Sequence, residues 1–167
     1  MKLSGQEEYG MRCLLRIARE GEGGSLTIPE ISHAEGISSF YAAKLMRFLR
    51  CGGFVKSARG QVGGYSLARP ADQILVGEVL EALGGRLFET DFCDSHTGIE
   101  KLCTNSVDCS VRSLWRTMQL VLDQFLNKLT LKDLISNEEE MTSRSSSLVQ
   151  MSGLPVKSPQ VPAGPNG

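Results

Sequence analysis

The sequence predicts a mainly α-helical fold with one small β-hairpin, arranged as a winged helix-turn-helix followed by a long helix. Three observations support this prediction. Apolar residues recur at helical spacing through most of the chain, whereas residues 54–69 alternate with a period of two around a glycine-rich turn. A polar stretch, residues 92–109, holds three cysteines and shows neither period.

Length and composition limit the class of protein. The chain has 167 residues, of which 41% are hydrophobic and 22% charged, which is typical of one globular domain with an appendage. No stretch approaches the roughly 18 apolar residues of a membrane span, and the start lacks the apolar segment of a signal peptide. We therefore expect a cytoplasmic protein with no membrane partner. Five cysteines in that reducing compartment favour metal binding or redox chemistry over disulfides.

The N-terminal part of the chain predicts three helices. The first covers about residues 4–20 and has a broad apolar stripe. Thr27 is the expected N-cap of a short helix that ends near Gly36. Ser38 is the expected N-cap of the next helix, which ends at Cys51 before a glycine pair. Two short helices joined by "EGIS" are typical of a helix-turn-helix.

The rest of the chain predicts a wing, further helices and a tail. "FVKSA" and "YSLAR" are expected to be the two strands of a hairpin, and a helix follows over about residues 75–83. Strong helical periodicity returns over residues 110–129, with a short helix over 131–136. We expect four parts: a winged helix-turn-helix domain (1–85), a cysteine loop (86–109), a dimerisation helix with a short C-terminal helix (110–137) and a disordered tail (138–167).

Charge is unevenly distributed along the chain, although the net charge is only −1. Residues 36–71 include six basic residues and no acidic one, whereas residues 72–167 include thirteen acidic and eight basic residues. A positive segment is therefore joined to a negative one. This asymmetry favours a nucleic-acid partner for the positive segment.

The helix after Ser38 is the predicted recognition helix, with its polar side in the major groove of double-stranded DNA. Hydroxyl and cationic side chains on that helix suit phosphates and base edges, and the wing is expected beside the minor groove. The residues assigned to DNA binding are Ser38, Ser39, Tyr41, Lys44, Arg47, Lys56, Arg59 and Gln61. An ordinary solvated face would show a similar pattern, but the lack of acidic residues favours DNA.

The run "GISSFYAAKLMRFLRCGGFVKSARGQVGGYSLARPADQILVGEVLEALGG" resembles the DNA-binding half of the IscR/NsrR/RirA family of bacterial winged-helix transcription regulators. The wing with its GGY and L-A-R-P, the following helix, the three-cysteine loop and the long helix occur in the family's order. The resemblance covers residues 1 to about 137. It implies a homodimer whose long helices cross, DNA bound by two wings and, in many members, an iron-sulfur cluster.

The resemblance implies that Cys93, Cys103 and Cys109 are thiolate ligands of an iron-sulfur cluster, of two-iron or four-iron type. The spacing here is C-x9-C-x5-C, and its first interval is longer than in cluster-binding relatives. A structural zinc site that adds His96 is an alternative, although no C-x2-C knuckle is present. A third reading is a loop with free thiols.

Three thiolates leave a cluster iron one ligand short of a four-coordinate set. In the family, a residue near the start of the first helix of the partner subunit can fill this place. It is an acidic residue in some members and a glutamate together with a histidine in at least one. The resemblance therefore makes Glu8 the first candidate and His33 the second, with His96 third.

The remaining cysteines and the apolar stripe of the long helix have simpler interpretations. Cys13 and Cys51 are expected to be core residues, because small apolar side chains suit the positions assigned to them. Trp115 and its apolar neighbours on the long helix are expected to form the core of a dimer.

These features predict a sequence-specific transcription regulator that senses iron, redox state or nitric oxide, and not an enzyme. No phosphate-binding glycine loop or nucleophile elbow is present in the sequence. Two alternatives remain. One is a cluster-free winged-helix regulator that responds to a partner protein or a small molecule. The other is an iron-sulfur redox protein that does not bind DNA.

Overall fold

The computed structural model describes residues 3–58, 63–88, 92–95, 103, 107–151 and 153. The chain divides into two compact units, Met1–Ile135 and Ser136–Gly167. The mostly helical chain with one antiparallel hairpin confirms the predicted fold class. In chain order the elements are α1 (Gly5–Arg19), α2 (Ile28–Glu35), α3 (Ser39–Cys51), β1 (Val55–Ala58), β2 (Gly64–Leu67), a 3-10 turn (Ala71–Gln73), α4 (Val76–Gly84), α5 (Phe92–Ser95), α6 (Ser110–Leu126), α7 (Leu131–Leu134) and α8 (Glu138–Met151).

Side-chain caps fix where the first helices begin. The backbone N–H of Ser4 donates to the Glu7 carboxylate at 2.7 Å, at the start of α1. At the start of α2 the Thr27 N–H donates to Glu30 at 2.7 Å, and the Glu30 N–H donates to the Thr27 hydroxyl at 3.4 Å. Gly36 then ends α2 with a φ of 65°, which glycine adopts without strain. The chain thereby turns directly into α3.

The core of the first unit lies between α1, α2, α3, the hairpin and α4. Removal of these apolar side chains from water is the main stabilising contribution, at roughly 25 cal/mol per Å² of buried apolar surface. This core fixes the position of the helix-turn-helix relative to α1. Its fully buried side chains include Cys13, Leu14, Ile17, Ile31, Leu45, Met46, Leu49, Ile74, Val79 and Leu131.

The two cysteines that were expected in the core differ in their burial. Cys13 is fully buried, and burial raises the pKa of its thiol to about 12. It is therefore a neutral, unreactive packing residue, as expected. Cys51, however, is exposed, so its assignment to the core is wrong. It lies two residues after the buried Leu49, which places it about 200° round the helix from the buried face.

The wing is a short antiparallel hairpin whose free edge is partly covered. β1 and β2 pair in the register Val55 with Leu67 and Ala58 with Gly64. On the other side of β2, Leu26 and Tyr65 exchange two backbone hydrogen bonds of 3.0 and 2.8 Å. These bonds tie the hairpin to the segment between α1 and α2. Residues 59–62, at the tip, lie outside the described residues.

Polar contacts attach one face of α6 to the rest of the first unit. The Gln119 side chain is buried, accepts a hydrogen bond from the Phe88 N–H at 3.0 Å and donates to Asp123 at 2.8 Å. Further along, Leu131 donates its backbone N–H to the Ile74 carbonyl at 2.8 Å. Another face of α6 carries large apolar side chains in water: Val111, Leu114, Trp115, Met118 and Val121. No helix among the described residues is long and apolar enough to span a membrane.

The chain after residue 137 differs from the disordered tail that its composition predicts. Residues Glu138–Met151 form α8, a helix of the second unit. Asn137 caps it, because its side-chain oxygen accepts the Glu140 N–H at 2.9 Å. Glutamates in the first turn also favour the positive end of the helix dipole. The cap and the acidic first turn thus favour a helix in a segment that is poor in large apolar residues. Residues 152 and 154–167 lie outside the description.

Candidate functional site

The predicted recognition helix, α3, is anchored by one face and exposed on the other. Its buried face consists of Ala42, Leu45, Met46 and Leu49. Two of the predicted DNA-binding side chains also hold the start of the helix. The Ser38 hydroxyl accepts the Tyr41 N–H at 3.2 Å, and the Ser39 hydroxyl donates to the Ser32 hydroxyl at 3.2 Å. Both serines are nevertheless exposed to solvent.

Tyr41 is half-buried, whereas the other predicted DNA-binding residues that the structure describes are exposed. Its ring packs edge-on against Tyr9 of α1, with the centroids 6.1 Å apart and the planes at 74°. The Arg12 guanidinium lies 5.2 Å from the centroid of that same Tyr9 ring. Tyr41 therefore contributes to the α1–α3 contact, whatever its hydroxyl does at the surface.

The cations of the positive segment are not equivalent in the structure. Lys44, Arg47 and Lys56 are exposed, and Lys44 Nζ lies 5.9 Å from the Phe48 ring centroid. Arg69, by contrast, is paired with Glu78 of α4. Its charge is therefore compensated inside the fold. Arg59 and Gln61 lie outside the described residues, so the predicted wing-tip contacts are not described.

A carboxylate that the sequence pattern did not single out locks α2 onto α1. The Glu35 side chain is only 5% exposed and accepts from Arg12 Nε at 2.8 Å and from Arg16 Nε at 3.1 Å. The hydrogen bond to Glu35 raises the pKa of Arg12. Arg12 and Arg16 lie four positions apart on one face of α1, which could have indicated a shared acidic partner. The sequence did not identify that partner, because Glu35 is distant in sequence and lies on another helix. Removing Glu35 would leave two arginines without their shared acceptor.

The three loop cysteines are half-buried and form no disulfide. Cys93 lies on α5, a short helix in a region where the sequence predicted no regular structure. Cys109 is the N-cap of α6, and its Sγ accepts the Arg112 N–H at 3.3 Å. The Cys109 sulfur therefore lies at the N-terminal end of α6, beside backbone N–H groups that have no acceptor within the helix.

The described residues do not bring the predicted ligands together. Among them, no three His, Cys, Asp or Glu side chains form a group that could hold a metal ion. Glu8 on α1 is exposed, with its carboxylate 3.9 Å from Arg12 Nη1, and His33 on α2 is exposed. His96 lies outside the description. Three thiols are the type of donor that an iron-sulfur cluster requires. Among the described residues, however, the three sulfurs do not form one site.

A helix-turn-helix with an exposed cationic face, followed by an antiparallel wing, defines this chain as a winged-helix protein of the DNA-binding transcription regulator class. The family model described as "Rrf2: Iron-dependent Transcriptional regulator" matches residues 3–137. The chain therefore belongs to the Rrf2 family of transcriptional regulators. This result confirms the resemblance to IscR-type regulators.

Individual relatives agree with this assignment. The chain is 36% identical over 139 residues to the HTH-type transcriptional regulator IscR of Cronobacter sakazakii, covering 83% of each chain. Its fold is similar to that of CymR, the global cysteine regulator of B. subtilis, with a TM-score of 0.63, 27% identity and coverage of 81% of this chain and 96% of CymR. It is also similar to T. potens IscR, with a TM-score of 0.62, 28% identity and coverage of 81% and 86%. These relatives are transcription regulators, which confirms the expectation that the chain is not an enzyme.

Proposed function

We propose that this regulator binds a double-stranded operator as a homodimer and controls that binding through an iron-sulfur cluster that responds to iron, redox state or nitric oxide. The observation that carries the DNA part is the acid-free, exposed face of α3. In the proposed complex α3 lies in the major groove and the wing lies beside the minor groove. Ser38, Ser39, Tyr41, Lys44, Arg47, Lys56, Arg59 and Gln61 are the proposed DNA contacts.

Removal of either cation of α3 should weaken DNA binding in a salt-dependent way. We expect Lys44→Ala and Arg47→Ala each to reduce the magnitude of the log-log salt slope by about one, because each lost phosphate contact releases one counterion fewer. The probe is a duplex that the wild-type full chain selects from a random pool. Binding is then measured over a range of salt concentrations.

The matched control for this experiment is Lys132→Ala. Lys132 is also an exposed cation, but it lies on α7 and is 3.9 Å from Asp72, away from the proposed interface. It should leave the slope at the wild-type value. Identical slopes for the wild type, both α3 variants and the control would contradict the placement of α3 in the groove.

The proposed homodimer is supported by the exposed apolar face of α6. Five large apolar side chains there are in contact with water in the single chain. Monomeric soluble proteins rarely expose such a contiguous stripe, and its helical spacing fits a second helix packed along it. Two copies of α3 would then face two half-sites of one operator, as in other dimeric helix-turn-helix proteins.

The proposed cluster is supported by the family description, which names an iron-dependent regulator, and by the three free thiols. Cys93, Cys103 and Cys109 are the proposed thiolate ligands, and Cys109 lies at the N-terminus of α6, where its Sγ accepts a backbone N–H. When bound, an iron-sulfur cluster supplies a redox change and a lability that depend on its ligands. The protein's part is to hold these thiols and to shield them from solvent.

Glu8 is the proposed further ligand, supplied by the partner subunit in the dimer, with His33 second and His96 third. Glu8 and His33 are both exposed, and their helices are held together through Arg12, Arg16 and Glu35. A ligand on α1 of one protomer and thiolates of the other would join the helix-turn-helix to the cysteine segment across the dimer. Such a link is the two-state element that a sensor requires.

Loss of that ligand should change the properties of the bound cluster without changing the fold. We expect Glu8→Ala to alter the visible spectrum and midpoint potential and to speed iron loss in air, with a smaller effect for His33→Ala. Glu22→Ala is the matched control, since Glu22 is an exposed acid in the loop after α1. Wild-type values in both ligand variants would show that α1 and α2 do not contact the cluster.

A second candidate is a cluster-free regulator that binds DNA and senses a small molecule or a partner protein. It is favoured by the similarity to CymR, which is described as a regulator of cysteine and matches this fold as well as T. potens IscR does. Iron and sulfide analysis of anaerobically purified protein separates the two candidates. The third alternative, a redox protein without DNA affinity, is disfavoured because the relatives are transcription regulators.

A further inference from the structure

Phe40, the second residue of α3, is a large apolar residue whose side chain lies in solvent. It is 85% exposed, because the buried residues of α3 lie about 140–240° round the helix from it. The exposed side chains on its side of the helix include Ala43, Lys44 and Arg47, in the next two turns. Their spacing of i, i+3, i+4 and i+7 places all four residues on one stripe. The outer face of the proposed recognition helix therefore begins with an apolar group and continues with cations.

A protein partner is a poor occupant for this stripe. A second copy of α3 packed against Phe40 would bring Lys44 and Arg47 of one copy close to the same cations of the other. The apolar stripe of α6 is the better self-association surface, because its members are apolar over several helical turns. No acidic residue lies in the first turn of α3, so the stripe as a whole is complementary to a polyanion.

We propose that Phe40 reads the C5-methyl group of a thymine in the major groove, and so sets part of the operator's sequence. This inference rests on the DNA binding proposed above. The first residues of a recognition helix are those that contact base edges, and Phe40 is the second residue of α3. The thymine methyl is the apolar group on the major-groove edge of the base pairs, and phenylalanine is among the side chains that contact it. Lys44 and Arg47, one and two turns further on, remain for the phosphate contacts proposed above.

The test compares thymine with deoxyuridine, which pairs identically but lacks the methyl group. The full chain, purified without oxygen, selects duplexes from a random pool, and the preferred duplex is resynthesised with deoxyuridine at each thymine in turn. At one thymine per half-site we expect the wild type to lose about fourfold in affinity, the value that about 0.8 kcal/mol for one buried methyl gives. Phe40→Ala should bind the thymine duplex no more tightly than the wild type binds the deoxyuridine duplex. At that position the variant should not distinguish thymine from deoxyuridine.

Two further variants complete the experiment. Phe40→Leu keeps an apolar group and should retain part of the discrimination, which separates methyl contact from a loss of helix structure. Met151→Ala removes an equally exposed apolar side chain from the second unit and should behave as wild type. Thermal unfolding should be unchanged in all three variants, because both positions are exposed.

The outcomes distinguish this inference from the DNA binding on which it rests. Equal thymine-to-deoxyuridine ratios for wild type and Phe40→Ala, with a duplex still selected, would overturn the role of Phe40 alone. A change in the sedimentation of the free chain on Phe40→Ala would also overturn it, because Phe40 would then lie in a protein interface. Failure of the wild type to select any duplex would overturn the proposed DNA binding and this inference together.

Discussion

Replacement of Cys93, Cys103 or Cys109 by alanine is expected to remove the visible absorption of anaerobically purified protein and most of its iron. Each cysteine is a proposed ligand, and direct loss of a thiolate should exceed the roughly 10- to 100-fold loss of metal affinity seen when a residue that only orients a ligand is removed. The measurements are the visible spectrum and the iron and sulfide content per chain. All three thiols are accessible enough for ligation, since each is only half-buried.

Cys51→Ala is the matched control for this experiment. Its thiol is exposed at the end of α3, so its removal leaves the core intact and should leave iron content unchanged. Cys13 is unsuitable as a control, because its side chain is fully buried in the core. Equal iron in Cys51→Ala and the three loop variants would exclude the loop cysteines as ligands. Zinc in place of iron and sulfide would favour the Cys3His site with His96.

Trp115→Glu is expected to convert the proposed homodimer to a monomer and thereby to weaken binding to the proposed operator. Trp115 lies in the centre of the exposed apolar stripe of α6, between Leu114 and Met118. An uncompensated carboxylate buried in that interface should cost about 3 kcal/mol, which is roughly a 150-fold weaker dimer. Sedimentation over a range of concentrations measures the association constant, and the selected duplex measures the effect on DNA.

Ser113→Glu provides the matched control for the dimer experiment. Ser113 is exposed and lies two residues before Trp115, which is about 200° round the helix, and no stripe residue is three or four positions from it. It adds the same charge to α6 away from the stripe, so the dimer should persist. If both variants stay dimeric, the stripe is not the dimer interface. If both become monomeric, the net charge of α6, and not the stripe, controls association.

Short-range signals explain why so much of the fold could be predicted. The first turn of α2 contains both members of its capping box, Thr27 and Glu30, within four residues of chain. Gly36 marks the turn of the helix-turn-helix because it has the φ that only glycine adopts freely. The wing follows from a period of two on either side of a glycine-rich turn. Each signal lies within the element that it specifies or directly beside it.

The candidate site was less predictable, because its properties depend on which distant side chains meet. Arg69 was counted among the six basic residues of the positive segment, yet its charge is paired with Glu78. Tyr41 was assigned to the DNA surface, and its ring is also packed against Tyr9. Phe40 was not assigned at all, since an apolar residue in a helix is expected to be buried. Arg59, Gln61 and His96 remain predictions from the sequence.

The order and type of the main elements from α1 to α7, other than α5, follow from the amino-acid sequence, as do the family to which the chain belongs and the residues that could bind DNA or metal. The tertiary structure controls which of those side chains are free to act. It buried Glu35 between Arg12 and Arg16, which lie 23 and 19 residues away, and it left Phe40 and Cys51 in solvent. This difference follows from the distance along the chain over which each kind of interaction acts. Caps, turns and periodicity act between residues a few positions apart, whereas burial and ion pairing depend on how the helices pack.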